Sequence, residues 1–294
     1  MPASTPILSI GVPVFNGEPY ITQSLASILG QTFTNFEVIV FDNASTDGTA
    51  DICRSHEARD KRIRYSRNST NIGSLSNFRR VLDLATGEYF MWAACDDYWS
   101  PGYVETLLAC LKQYPDAVLA AGRVHFVDPS GSERTDILPD DPPAPGMRPS
   151  VDTAKQLLSQ HAFGWLHGVF RREALIRLSG RFFRGPTWGA DVVFLLELCL
   201  AHKLVGSKDA VMYKRSIAGH GPSTPRRLVR WQCWFAKALI NVILESPRST
   251  IEKAEILGAS LLYLTELYFS DGFFPTVVGW ARAGYHVLLG VDRP

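Results

Sequence analysis

Two carboxylates, Asp96 and Asp97, stand side by side at the end of an apolar run, FMWAAC. Adjacent negative charges repel. A divalent cation relieves that repulsion, and hard carboxylate oxygens suit Mg²⁺ or Mn²⁺. Such an ion would bridge phosphate oxygens and neutralise a diphosphate leaving group. The same pair can instead cap the helix that begins near Pro101, since Asp favours the N-cap and Pro the first helical turn. Spacing alone leaves both readings open.

Other polar groups recur directly after apolar runs. Phe15-Asn16-Gly17-Glu18 follows ILSIGVPV, and Asp42-Asn43-Ala44-Ser45-Thr46-Asp47-Gly48 closes FEVIVFD. Asn71-Ile72-Gly73 follows a third run. Each has a plain structural use: Ser45, Thr46 and Asp47 as helix caps, Asn71 and Gly73 as a turn. Their shared position is harder to explain structurally than any one of them.

The elements that would position these groups alternate along the first 130 residues. Apolar, β-branched runs predict strands over 7–14, 36–42, 62–67, 89–93 and 117–127. Helices are expected over 19–30, 48–59, 74–86 and 101–114. In the third, Leu75, Phe78, Val81, Leu82 and Ala85 form one stripe, with Gly87 as a cap beyond it. This alternation argues for a mostly parallel sheet flanked by helices. In such sheets ligands bind outside the carboxyl ends of the strands, where the polar turns gather. Residues 128–150, rich in Pro and acids, predict a long loop able to act as a lid. Residues 151–225 resume mixed structure. From 226 the pattern is helical: Trp231, Trp234, Phe235, Ala238, Leu239, Val242 and Ile243 share one face. A second helix over about 250–270 places Leu257, Leu261, Leu264 and Tyr268 in register, and a third covers about 275–290. We therefore expect a first domain over 1–225 and a C-terminal helical extension over 226–294.

Composition narrows the class. The 294 residues carry 30 Lys and Arg against 29 Asp and Glu, which gives no general attraction to nucleic acid. Five cysteines form no C-x-x-C pair, and reduced, buried thiols are the expected state. There is no secretory pattern and no continuous apolar run of membrane-spanning length. The cytoplasm is the expected compartment, with the inner membrane face as an alternative. Arg226, Arg227 and Arg230 beside several aromatics are compatible with interfacial binding, although packing is the commoner use of such a helix.

In order, these segments resemble the family 2 glycosyltransferases, which have the GT-A fold, a Rossmann-like α/β sheet. The family shows a strand, P-x-Y/F-N, S-I-L-x-Q-T, then a strand ending in D-D/N-x-S-x-D-x-T. All are found within SIGVPVFNGEPYITQSLASILGQTFTNFEVIVFDNASTDGT. NIGSLSN resembles the family's N-x-G-x-x-x-x-N stretch, and GEYFMWAACDD its DxD region. Gly189-Ala190-Asp191 before VVFLLEL resembles the segment that supplies the base.

The resemblance implies transfer of a sugar from a nucleoside-diphosphate donor to an acceptor hydroxyl, with inversion and with Mn²⁺ or Mg²⁺. The acceptor would be a saccharide or a lipid-linked saccharide in cell-surface polysaccharide or glycoconjugate synthesis. The turn holding the nucleotide would include Pro13, Phe15, Asn16 and Glu18. Asp42 would read the base edge, beside Asn43 and Ser45, and Asn71, Gly73 and Asn77 would flank the nucleotide. Asp96 would hold the metal against the diphosphate, with Asp97 adjacent. Asp191 would take the acceptor's proton, and Trp188 would serve as an apolar wall, a sugar platform or plain core. His220 and Arg215 could approach the phosphates or the metal. Two positions depart from the family pattern: Asn43 replaces the second acid of its pair, and Ala94 the first Asp of the DxD.

Three other readings compete. A nucleotidyltransferase would need a Gly-rich basic loop after the first strand, and a dinucleotide-dependent oxidoreductase would need G-x-G-x-x-G. Neither is present. A non-catalytic nucleotide- or carbohydrate-binding relative gains some weight from Ala94 and loses it to the retained Asp96, Asp97 and Asp191.

Overall fold

The computed structural model describes residues 5–143, 151–159, 163–184, 189–217 and 225–269, except the side chains of 163, 225–233 and 265–269. Its spine is an eight-stranded sheet. The first strands are β1 (Leu8–Val14), β2 (Phe36–Asp42), β3 (Ile63–Arg67) and β4 (Tyr89–Trp92). Then follow β5 (Tyr98–Trp99), β6 (Ala117–Val127), β7 (Val169–Arg171) and β8 (Lys203–Arg215). Their spatial order is β3-β2-β1-β4-β7-β6-β8-β5. β3, β2, β1 and β4 run parallel, as expected. β7 runs antiparallel between β4 and β6, and β5 antiparallel to β8, so the sheet is mixed beyond β4.

β1 and β2 are buried along their whole length because helices cover both faces, while the edge strand β3 is largely exposed. On one face lie α1 (Ile21–Leu29) and α4 (Tyr103–Gln113), packed on Ile10, Val12, Val38 and Val40. On the other lie α3 (Ser74–Asp83), α5 (Val151–Ser159) and α7 (Ala190–Ala201). α2 (Thr49–Arg59) leads into β3, and α6 (Arg172–Leu178) continues β7. Gly11 lets α3 sit directly on β1, since a Cβ there would meet Val81 at 2.7 Å. α7 is apolar all round, as its sequence ADVVFLLELCLA dictates, and is buried between neighbours.

The C-terminal helices α8 (Pro225–Glu245) and α9 (Thr250–Phe269) join this second core. Phe235, Leu239, Val242 and Ile243 of the expected stripe are buried. In α9 Ile256, Ala259 and Tyr263 are buried, Leu257 and Leu264 of the expected stripe pack partly against the core, and Leu261 is 59% exposed. The helix carries apolar residues on more than one face, so periodicity did not single out the buried one. No helix among the described residues is long and apolar enough to cross a membrane. Arg226, Arg227 and Arg230 have side chains outside the described residues, as does Cys233, and the helix expected over 275–290 also lies outside. Of the other cysteines all are free, with Cys53 and Cys199 buried.

The described part of the Pro-rich stretch differs from a free lid. Asp128 closes a tight turn by accepting from the backbone N–H groups of Ser130 and Ser132. The chain then returns along β6, bridging Val127 with Glu133 and Val124 with Asp140. Asp141 pairs with Arg123 and Lys208, and its carbonyl accepts from the Trp165 indole. The segment to 143 is thus a strap bonded to the sheet. Residues 144–150 lie outside the described residues.

Candidate active site

The carboxyl ends of β1, β2 and β4 meet at one edge, and the loops leaving them interlock. After β1, the Asn16 N–H donates to Ser45 Oγ (2.9 Å), and the Thr46 N–H returns a bond to Asn16 Oδ1 (2.9 Å). Gly17 N–H donates to Thr49 Oγ1 at 2.8 Å. Glu18 Oε2 accepts from Gly48 N–H, also at 2.8 Å. Two non-glycine residues adopt positive φ here, Asn16 (52°) and Ala44 (63°). Asn tolerates that region, whereas Ala is strained in it, and strain held in place by surrounding bonds clusters at functional sites.

Behind the interlock Asp42 is fully buried. Its oxygens accept from the Ser45 N–H (2.8 Å) and the Tyr65 hydroxyl (2.8 Å), and Arg67 lies 3.6 Å away. Asp42 and Ser45 therefore shape the edge from within, Asn16 and Glu18 link the two loops from its exposed side, and Asp42 has no face open to the cleft. Burial and the Asp42 hydrogen bond raise the Tyr65 phenol above its ordinary range, so it remains a donor.

In front of the interlock a cleft of about 360 Å³ is lined by Pro13, Phe15, Asn43, Asn71, Gly73 and Asn77, among others. All six were singled out from sequence. Phe15 is 47% exposed, an unusual placement for a large apolar ring. Asn43 is locked: its amide donates to Asn71 Oδ1 (2.8 Å), and its oxygen accepts from Ile72 N–H (2.9 Å). Asn77 donates to the Phe41 carbonyl at 2.8 Å. Asn71 is exposed and uses its oxygen for Asn43 and Gly73, which leaves its NH₂ facing outward as an available donor.

The acidic pair follows β4 at the same sheet edge, on a loop that touches the loop after β1, and it is not part of the cleft's lining. A Cβ on Gly17 would meet Cys95 Sγ at 3.3 Å, so the loops after β1 and β4 touch. The pair is rooted in Trp92, fully buried, with Phe90, Phe170 and Phe182 rings 5.1–5.7 Å away. Its indole donates to the Phe78 carbonyl at 3.1 Å, and its own carbonyl pairs with His167 Nδ1 at 3.0 Å. Asp96 is partly exposed; Asp97 is 3% exposed and accepts the Arg215 N–H at 2.8 Å. Burial, then the charge of Asp96, push the Asp97 carboxyl up to about 7. Arg215 is held by the carbonyls of Asp96 and Pro129 and by Gln23 Oε1, with its guanidinium over Tyr20. It braces the loop, and of its five N–H donors one, on Nη2, has no partner among the described residues.

Among the described residues no three His, Cys, Asp or Glu side chains gather as a metal cage. The donor set fits a different mode. Mg²⁺ commonly takes one or two carboxylates and completes its shell with phosphate oxygens and water. Asp96 offers an accessible carboxylate, and the repulsion that raises Asp97 is the cost a divalent ion would relieve. His220 and Trp188 lie outside the described residues.

Asp191 sits in the first turn of α7. Burial raises its carboxyl, while the Lys214 charge and the Val192 N–H pull it back. Lys214 exerts the same downward pull on Asp97 and Asp140 and depresses His167, without forming an ion pair with any of these acids among the described residues. Its charge is felt by both Asp97 and Asp191. Sequence reasoning missed it because β8 carries no clean alternation. His167 and Asp140 were missed as well, since a short 3₁₀ turn and a Pro-rich loop give no burial signal. Gly189, just ahead of α7, has φ 76° and packs against Phe235, where a Cβ would stand 2.6 Å from the ring. Gly189→Ala is expected to destabilise by about 2 kcal/mol, from left-handed strain plus overpacking. Urea unfolding would show the lowered midpoint.

The profile of Glycosyl transferase family 2 matches residues 9–178. An uncharacterized glycosyltransferase of Haemophilus influenzae is 33% identical over 117 residues, 40% of this chain and 36% of that one. The putative teichuronic acid biosynthesis glycosyltransferase TuaG of Bacillus subtilis is 33% identical over 108 residues, 37% of this chain and 43% of its own. Chondroitin synthase of Escherichia coli is 38% identical over 110 residues, which are 37% of this chain but 15% of that enzyme. The chain thus aligns with less than half the length of each of these relatives. In structure it resembles S. aureus TarS 1–349 in complex with UDP-GlcNAc, with TM-score 0.71 and 20% identity, covering 96% of this chain and 79% of that 1–349 chain. It also resembles the Pyrobaculum calidifontis mannosyltransferase PcManGT in complex with GDP-Man and Mn²⁺, at TM-score 0.55, 20% identity and 100% and 78% coverage. The fold is GT-A, and the chain belongs to glycosyl transferase family 2.

Proposed function

We propose that this chain transfers a sugar from a nucleoside-diphosphate donor to an acceptor hydroxyl with inversion. The observation that carries this is the single cleft in which Pro13, Phe15, Asn43, Asn71, Gly73 and Asn77 meet, at the sheet edge from which the Asp96 loop also leaves and touches the loop after β1. Phe15 offers a ring for the nucleobase, and the Asn71 amide a donor for its edge. Asp42 acts from behind, holding Ser45 and Tyr65 in place.

Asp96 would hold Mn²⁺ or Mg²⁺, with Asp97 next to it; when bound, the ion stabilises charge on the departing diphosphate. Asp191 takes the proton of the acceptor hydroxyl. The oxygen then forms its bond to the anomeric carbon as the bond to the diphosphate breaks. A single base, with no covalent nucleophile assigned among the described residues, favours inversion. A carboxylate is adequate as base because burial has raised it. The names of TuaG and chondroitin synthase support an acceptor in polysaccharide synthesis.

Calorimetric titration with UDP, GDP, CDP and dTDP, each with and without Mn²⁺, tests the reading. One diphosphate should bind, and more tightly with metal. Phe15→Ala should weaken it about tenfold, the low end of what stacking on an aromatic contributes. Absence of binding by every nucleotide would overturn the proposal.

A further inference from the structure

A second cleft, of about 290 Å³, is lined by Arg181, Arg184, Ala190, Trp234, Lys237 and Asn241, among others. It lies where the short 3₁₀ turn Phe182–Arg184, the start of α7 and α8 come together. Three cations line it and no carboxylate does. Arg181 is neutralised by Glu245 at 2.6 Å and Glu197 at 3.6 Å. Arg184 and Lys237 are exposed, and neither forms an ion pair among the described residues. The cleft therefore keeps two uncompensated positive charges beside a partly buried indole and a carboxamide.

That combination has a particular chemistry. The guanidinium of Arg184 can fork onto a carboxylate or phosphate, and Lys237 adds a point charge. The Trp234 ring offers an apolar wall to the C–H face of a sugar, and Asn241 can bond hydroxyls from either end of its amide. Ala190, part of the lining, immediately precedes Asp191. A guest here lies beside the turn that carries the proposed base.

We infer that this cleft holds a negatively charged sugar unit of the acceptor, one bearing a carboxylate or a phosphate. The inference rests on the reading of Asp191 as the base. It explains why unpaired cations converge on a concave surface at this helix rather than being dispersed over the protein. Exposed charge pairs contribute modestly each, so together they should favour an acidic ligand about tenfold over a neutral one.

The full chain would be titrated with a glucuronate-bearing hexasaccharide, its carboxyl-reduced neutral counterpart and a glycerol-phosphate oligomer of similar length. At least one acidic probe should bind about tenfold more tightly than the neutral one. Which acidic probe does so separates carboxylate from phosphate recognition. The gap should narrow with added salt and close in the Arg184→Gln/Lys237→Gln double variant. Equal binding of all three, binding of none, or a gap that survives the double substitution would overturn the inference. So would a double variant whose only loss is binding to phosphatidylglycerol vesicles, since the cations would then serve a membrane. Nucleoside diphosphate titration of the same proteins keeps the two readings apart. If nucleotide binds and the acidic preference is missing, this inference alone fails; if nucleotide also fails to bind, the transferase reading falls with it.

Discussion

Asp191→Asn is expected to lower turnover by roughly 100- to 10,000-fold, the range for removing a general base. Affinity for the nucleoside diphosphate should stay within about twofold, because the lost interaction belongs to the transition state. The substitution keeps size and shape in the first turn of α7, so the helix and its packing persist. A pH profile adds a readout of its own. Burial raises the Asp191 carboxyl, and the Lys214 charge opposes that rise. Turnover should therefore increase with pH along a limb set above an ordinary aspartate. Lys214→Met should move that limb further towards alkaline pH. Measuring kcat and diphosphate Kd side by side checks both; unchanged turnover in Asp191→Asn would remove it as the base.

Asp140→Asn is expected to stabilise the protein at pH 8. Asp140 is 4% exposed, and its carboxylate makes no hydrogen bond or ion pair among the described residues. Burial pushes it up to about 7, against the pull of Lys214 and with a smaller push from Asp141. The folded chain thus keeps a proton that the unfolded chain, titrating near 3.9, releases. The corresponding stability is intact below about pH 4 and is lost as pH rises towards 7. Asparagine imitates the protonated form and escapes that loss. The variant should exceed the parent by on the order of 3 kcal/mol at pH 8, and by less than half of that at pH 5. Urea unfolding at the two pH values reads the difference; an equal advantage at both would show that the carboxyl does not titrate in this range.

The half of the fold that positions the nucleotide was legible because its strands are unambiguous. LSIGVPV and FEVIVFD are apolar runs covered on both faces, and their observed bounds lie within a residue of the expected ones. β3, β4 and β6 also lie within a residue of the expected 62–67, 89–93 and 117–127, whereas β5, β7 and β8 were not legible. β7 is three residues long and runs straight into α6. β8 holds the polar stretch GSKD, accommodated by an irregularity opposite Gly122 and Arg123 of β6. α7 shows no periodicity because it is surrounded. The site divides in the same way. Residues directly after a strand could be placed at the edge from sequence, but which of them face the cleft could not. Asp42 and Asn43 are neighbours, yet only Asn43 lines the cleft, since Asp42 is taken up by Ser45, Tyr65 and Arg67. Lys214 reaches the acids through a strand whose partner lies about 90 residues earlier, a distance local pattern does not span.

The antiparallel β7, wedged between β4 and β6, sets a schedule for the growing polypeptide. β4 is finished at Trp92, but the strand that covers its free edge is not complete until Arg171. At ribosomal speeds of about 5–20 residues per second, the roughly 80 intervening residues take on the order of 4–16 s to emerge. During that interval the nascent sheet β3-β2-β1-β4 presents an open, strongly apolar margin, the kind of edge that recruits other chains. Slow codons or an arrest before residue 171 would prolong the exposure, so solubility in the cell should depend on translation tempo and on holdase chaperones, even where the finished molecule is stable.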